Sequence, residues 1–310
     1  MINRLYFVTL LFTLVGCAVY QNELYEYKSK QELIELHVSS TMLDCRCHTQ
    51  GVAWDENSKS IISTCQGADG YSYILLFPEY GSENKTQAID VYKTNLGLGY
   101  SHPSAIQIEN GVFPVAFTDG KRDGTVIQFF KIENRRIKLV PNQKINYDNH
   151  IGALSYFQKD NQFYMLGMEW DSKNYAQWSS KFAYQDFSLI KKGSIKDITA
   201  EKTGAYNSIW FGELLNKELK LMASCGSFYS KKKNYVDIFD LNLETLKLTN
   251  KQRLYVGNTT RKSHRSLFFE GVTVKSNNEN MFTIISSPHD YKKRNGSSYI
   301  NYIYEGEIKK

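Results

Sequence analysis

Proline is scarce in this 310-residue sequence, with 5 residues against 20 glycines and 43 aromatics (22 Tyr, 17 Phe and 4 Trp). A chain so poor in proline, and without a glycine period, is neither collagen-like nor a Pro-rich linker, and it suits backbone that is mostly paired strand. Also missing is any apolar run near 18 residues, so no bilayer-spanning helix is expected. Positive charge is present but thin: the net +6 is spread without a dense Lys/Arg block, which argues for a mildly cationic surface and against a nucleic-acid footprint. Walker, dinucleotide-binding, Gly-x-Ser-x-Gly and His-Glu-x-x-His motifs are absent, which counts against nucleotide chemistry and the common serine and zinc hydrolases. What remains is an ordinary foldable composition, 42% hydrophobic and 23% charged, whose Tyr and Phe richness leans toward strands. Length alone permits two domains or one large β-domain.

The first residues read as a targeting segment. In MINRLYFVTLLFTLVGC, Arg4 supplies a positive start and Leu5 to Val15 an uncharged, largely apolar run of 11, too short to span a bilayer and of the length of a secretory signal. Leu14-Val15-Gly16-Cys17 resembles the bacterial lipobox, in which the cysteine after a small residue is lipidated and becomes the mature N-terminus. The resemblance covers only this segment. It implies a signal peptide over residues 1–16, a thioether-linked lipid on Cys17, a short tether over 17–22 and a bacterial envelope anchor. Ala18 resembles the pattern sorted to the outer membrane. A plain signal peptide cut after Ala18 is the alternative, and it leaves a secreted or periplasmic protein.

Setting Cys17 aside leaves Cys45, Cys47, Cys65 and Cys225, an even set that supports one or two disulfides in an exported protein. The run Cys45-Arg46-Cys47-His48 also has the residue types of a soft-metal cluster, although a disulfide to Cys65 or Cys225 is the expected use.

A repeat runs through the remainder. Five segments open alike: His48 to Trp54, His102 to Ile108, His150 to Tyr156, Ala205 to Phe211 and Phe268 to Val274. Each places a small residue (Gly51, Ala105, Ala153, Ser208, Gly271) before a short apolar strand, at intervals of 54, 48, 55 and 63 residues. A polar turn, a second apolar strand (SIIST, VFPVAF, FYMLGM, LKLMAS, MFTIIS) and a third, more alternating strand follow in every unit, and four units continue into a fourth strand. Short antiparallel strands repeated at this period predict an all-β chain forming a single five-bladed β-propeller over residues 23–310, each small residue serving the crowded axis. A six-bladed ring is the rival, but no sixth opening segment is present. The fifth unit ends after its third strand, while Glu23 to Glu35 precedes the first unit without a partner. This N-terminal stretch is expected to supply the missing outer strand and close the ring, the alternative being a short helix over Ser29 to Leu36.

In a propeller, the starts of inner strands and the ends of second strands meet at one mouth of the axial channel. His48, His102 and His150 occupy the same repeat position there, with Gln50, Ser104, Asn207 and Glu270 beside them. Neutral imidazoles from successive blades, joined by the Glu270 carboxylate, have the ligand types for a divalent metal that could serve hydrolase or lyase chemistry. The other readings are an inherited histidine that hydrogen-bonds neighbouring backbone, and direct contact with ligand. Asp119 and Glu169, from loops after second strands, form a carboxylate pair suited to general acid and base work on a glycosidic bond. In this the architecture resembles five-bladed propellers of the furanosidase type, none of whose motif strings is present. Trp54 and Trp210 lie in inner strands and are expected in the core, whereas Trp170 and Trp178 are the candidates for stacking on a sugar. The reading is a monomeric envelope propeller that binds a glycan, peptide or protein at this mouth, with an envelope enzyme at the same place as the alternative.

Overall fold

A computed structural model of the chain describes residues 25–43, 47–79, 85–97, 99–118, 124–170, 172–215, 217–225, 234–256, 268–289 and 297–308. The targeting segment, Cys17, the tether, Cys45 and Asp119 lie outside these residues. Strand β1 (Tyr25–His37) comes first. Blade 1 is β2 (Cys47–Asp55), β3 (Ser60–Gly67), β4 (Ser72–Pro78) and β6 (Asp90–Lys93), with β5 (Lys85–Gln87) inserted before its outer strand. Blade 2 is β7 (His102–Pro103), β8 (Val112–Thr118), β9 (Thr125–Glu133) and β10 (Arg136–Tyr147). Blade 3 is β11 (Ile151–Lys159), β12 (Gln162–Glu169), β13 (Asn174–Ser180) and β14 (Ser188–Ser194). Blade 4 is β15 (Ser208–Glu213), β16 (Leu219–Cys225), β17 (Asn234–Asn242) and β18 (Lys247–Val256). Blade 5 takes β19 (Phe268–Asn278), β20 (Met281–His289) and β21 (Ser297–Ile308) from the C-terminal end, and its fourth strand is β1. The protein is a single five-bladed β-propeller.

The ring is closed by the N-terminal strand. β1 runs antiparallel to β21 from Tyr25 opposite Ile308 to His37 opposite Ser297, with an irregularity between Ser29 and Glu32, so Ser29 to Leu36 is strand and not helix. The outer edge of β1 is itself covered in part, because β5 pairs with it in parallel (Glu35 opposite Lys85, His37 opposite Gln87). That second cover is a finding the sequence did not announce.

Burial explains the strand pattern. Inner strands are shielded on both faces: from Ile151 to Phe157 every residue of β11 is buried, and β14, on the rim of the same blade, is almost wholly exposed. Five apolar clusters fill the five blade interfaces. Ile62, Ile74 and Phe113 join blades 1 and 2; Phe129, Tyr156 and Trp178 join 2 and 3; Met168, Phe211 and Phe239 join 3 and 4; Met222, Val272 and Phe282 join 4 and 5; Ile285, Ile34 and Val52 join 5 and 1. The aromatic richness of the sequence is spent here, each fully buried ring contributing about 2 to 3 kcal/mol.

Near the axis the blades approach too closely for side chains. A Cβ added to Gly51 would stand 2.6 Å from the Cα of Ala105, and Ala105 in turn bridges in parallel to Ala153. Between the inner strands, hydroxyl and amide side chains take up backbone groups that the four-stranded sheets leave unpaired. Thr64 donates to the Ser104 carbonyl at 2.9 Å, the Val272 N–H donates to Ser208 Oγ at 2.9 Å, and the Trp54 N–H to Thr273 Oγ1 at 3.3 Å. Gln107 reaches furthest: its amide donates to the Phe211 carbonyl at 2.6 Å and accepts from the Phe211 N–H at 3.1 Å and from Ser155 Oγ, tying blades 2, 3 and 4 together.

Candidate functional site

At the upper mouth, where inner strands begin, Trp170 is the exposed feature. Strand β12 ends at Glu169, and the turn that follows leaves the indole 40% exposed. The backbone N–H of Trp170 donates to the His150 carbonyl at 3.3 Å. Gly152 makes the position possible, since a Cβ there would meet the Trp170 Cα at 3.0 Å and its ring at 3.3 Å. The His102 and His150 rings pack edge-on to the indole, with centroids at 4.8 and 5.2 Å, and lie 6.0 Å from each other. Two blades thus build one aromatic platform.

Glu169 stands next to it with both oxygens engaged. Asn149 donates to Oε1 at 2.7 Å and Asn174 to Oε2 at 2.9 Å. Tyr147, from the end of β10, has its phenol raised above the usual tyrosine range by burial and by the negative charge of Glu169. Asn174 also borders an open groove of about 850 Å³ on the upper side of blades 3 and 4, lined by Ser172, Lys173, Ser194, Lys196 and residues 199–205. The groove wall is set by a capping box at the single-turn helix Ile195–Asp197 and by Ser172, whose hydroxyl accepts from the Tyr206 N–H at 2.7 Å. An aromatic platform, amides and a polar groove with lysines make a surface suited to hydroxyl-rich ligands.

The other expected residues scatter. Among the described residues no group of three His, Cys, Asp or Glu side chains is placed to hold a metal ion, so His48, His102 and His150 do not form the expected ligand set. The physical reason is local. His48 Nδ1 lies 3.1 Å from the amide nitrogen of the buried Gln50, and Trp170 packs against both of the other imidazoles. Glu270 lies in β19, and its side chain is outside the described residues. Ser104 belongs to the interior, where its hydroxyl donates to the Ala105 carbonyl at 2.8 Å and accepts from the Ala116 N–H at 3.2 Å. Trp178 also corrects the sequence reading: at 2% exposure it is sealed between blades 2 and 3, edge-on to Tyr147 at 5.3 Å. Asn207 is half-buried at the start of blade 4, its N–H donating to the Ser224 carbonyl. Cys47 and Cys65 form a disulfide across β2 and β3, which removes Cys47 from any metal cluster, and Cys225 is free with its thiol pushed up by burial. Gly152, Asn149, Asn174 and Ser172 were missed by sequence reasoning. Gly152 precedes the small position of its repeat, Ala153, and so carried a signal of its own.

No family model matches the sequence, and no curated protein matches it. Solved structures do. A hypothetical protein from Leishmania major superposes with a TM-score of 0.49 at 12% identity, over 89% of this chain and 90% of that one. The β-fructofuranosidase from Schwanniomyces occidentalis, complexed with fructosyl-erythritol, gives 0.50 at 7% identity, over 89% of this chain and 57% of that one. The major Malassezia sympodialis allergen Mala s 1 gives 0.47 at 11%, over 83% and 77%. At these identities the likeness is one of fold.

Proposed function

We propose that this propeller is an exported binding protein that takes a glycan at its upper mouth. The observation that carries the reading is Trp170, a large indole left 40% exposed beside the His102 and His150 imidazoles and two residues before Ser172, which lines a polar groove. Sugars present C–H faces that stack on such a ring and hydroxyls that pair with amides and lysines. The disulfide between Cys47 and Cys65 supports an oxidising compartment outside the cytoplasm. Binding is favoured over hydrolysis because both oxygens of Glu169 already accept amide hydrogens, which commits that side chain to positioning.

The test is calorimetric titration of purified protein with a panel of envelope oligosaccharides, with release of reducing sugar followed in parallel. Trp170→Ala should weaken the bound glycan by about tenfold or more while leaving the thermal melt in place, since the indole is a surface group. A protein that binds no oligosaccharide, or whose Trp170→Ala variant binds as before, would sink the reading. Sustained release of reducing sugar would replace it with the enzymatic one.

A further inference from the structure

Six large hydrophobic side chains are exposed among the described residues, and four of them, Phe182, Tyr184, Leu189 and Ile190, fall within one stretch of nine residues. In blade 3 the inner strand β11 starts at the upper mouth and runs down, so β13 ends and β14 begins at the lower face. The four side chains therefore sit on the lower loop between β13 and β14 and on the lower half of β14, the rim strand of its blade. Leu189 pairs with Trp178 and Lys191 with Gln177, which makes Ile190 the extra residue of a bulge and leaves two consecutive side chains in solvent where a regular strand would alternate. Apolar groups scattered singly over a surface need no explanation, but four together on one edge do.

The loop is held in shape from inside. Phe187 stacks on Phe129 with ring centroids 5.2 Å apart and lies near Tyr156. The Tyr156 hydroxyl donates to the Ala183 carbonyl, Ser180 Oγ donates to the Gln185 carbonyl at 2.6 Å, and the Phe182 N–H donates to Ser180 Oγ at 3.0 Å. Burying a ring was open to this loop, as Phe187 shows, yet Phe182 stays 50% exposed and Tyr184 stays exposed beside it. Within residues 181–192 three lysines frame the patch, Lys181 before it and Lys191 and Lys192 after it, against one acid, Asp186. Aromatic and aliphatic side chains framed by lysines suit a bilayer interface, where apolar groups reach the acyl boundary and ammonium groups meet lipid phosphates.

The direction of the chain agrees. β1 begins at Tyr25 opposite Ile308, at the lower end of blade 5. Cys17, which the lipobox resemblance marks for a lipid, precedes Tyr25 by eight residues, a length that extends over at most about 28 Å. A lipid on Cys17 would hold the lower face, and not the upper mouth, against the membrane. The axis of that face is acidic: a cavity of about 220 Å³ between the ends of the inner strands is bordered by Asp55, Glu56, Glu109 and Glu213. Those carboxylates disfavour an anionic surface laid flat across the axis, so contact falls on the rim. We propose that the lower rim of blade 3, through Phe182, Tyr184, Leu189 and Ile190, docks on the surface of an anionic lipid bilayer and so turns the upper mouth away from it.

The chain from residue 18 holds every strand of the ring and carries no lipid, so its flotation with vesicles reads the rim by itself. It should float with vesicles of equimolar phosphatidylethanolamine and phosphatidylglycerol. Phe182→Ser combined with Ile190→Ser should weaken that partition about tenfold or more, and Lys181→Ala combined with Lys192→Ala should weaken it by about as much at low salt. Lys191 stays in place because it donates to the Thr245 carbonyl. The substituted side chains are exposed, so the melts should match the parent's; Tyr184→Ser, the loss of a single exposed ring, repeats the test at about threefold should a pair disturb the melt. Trp170→Ala, on the upper face, should float as the parent does, and the rim variants should leave glycan titration of the upper mouth unchanged, which separates failure at the rim from failure at the mouth. Absence of flotation, flotation undiminished in the Phe182→Ser, Ile190→Ser protein, or a dimer of the unlipidated chain that the same substitutions dissolve would each overturn the proposal.

Discussion

Asp55 and Glu109 face one cavity, yet their carboxylates are solvated very differently. Asp55 caps its own turn by accepting the Ser58 N–H, while Glu109 has desolvation and a neighbouring negative charge and nothing to offset them. A carboxyl raised from 4.5 to about 7 by folding binds a proton in the folded chain that the unfolded chain has already lost, throughout that pH window. Stability therefore falls as pH rises from 4.5 through 7, and the full penalty is in place above 7. Below 4.5 both states are protonated and nothing is lost. The penalty is at most roughly 3 kcal/mol, since one pKa unit is about 1.4 kcal/mol. The other acids bordering the cavity, Asp55, Glu56 and Glu213, are each paired or hydrogen-bonded, and so the window belongs to Glu109. Glu109→Gln carries no charge at any pH. Its melting temperature should exceed that of the parent by about 5 °C at pH 8 and match it at pH 4.5. Parallel melting curves across that range would show that Glu109 does not carry the penalty.

At the scale of strands, what could be read in advance followed from geometry that repeats. Four of the five inner strands were legible because each needs a small residue at the axis and an apolar run behind it, and the 2.6 Å approach at Gly51 shows why; in blade 2 the strand β7 stops at Pro103, before Ala105, and the run behind it packs without strand pairing. Side-chain direction was not legible where a strand is buried on both faces. The third strands read as alternating, but burial along β13 does not alternate, so a core tryptophan, Trp178, passed for a ligand platform. The lower cavity escaped for another reason: Asp55 and Glu109 both stand four residues after the small position of their repeat, Gly51 and Ala105, but each opens a polar stretch that composition alone reads as loop, although Asp55 is the last residue of β2. Blade 1 is fastened at its upper end by the Cys47–Cys65 disulfide, which closes a loop of 18 residues between β2 and β3. A loop of that length is worth about 3 kcal/mol through the entropy it removes from the unfolded chain. Reduction, or Cys65→Ser, should lower the midpoint of denaturant unfolding by a corresponding amount and leave the slope of the transition nearly unchanged. An unchanged midpoint would show that the ladder between β2 and β3 needs no such support.

Across the whole molecule, closure of the ring depends on one strand taken from the far end of the chain. β1 contributes Ile34 and Leu36 to the interface of blades 5 and 1, and Tyr25 to that of blades 4 and 5, so it anchors two of the five seams. Its ion pairs with β21, Lys28 to Glu307 and Lys30 to Glu305, are partly exposed and contribute little. Apolar burial and the backbone ladder therefore do the fastening. Removing residues 25–37 exposes the whole edge of β21 and opens both seams, and the expected result is loss of the cooperative melt together with aggregation. A permuted chain separates strand content from chain order. Because Tyr25 lies opposite Ile308, a short turn from residue 308 to residue 25 would make β21 and β1 a hairpin, with the new start at residue 38. That chain keeps every pairing of blade 5 and brings β1 to its place as a local contact, so it should melt cooperatively at or above the parent temperature. If the deleted protein melted like the parent, β1 would be a passenger on a ring already closed. If the deletion unfolds while the permutant folds, β1 is the clasp, and its position at the start of the chain is incidental to the fold.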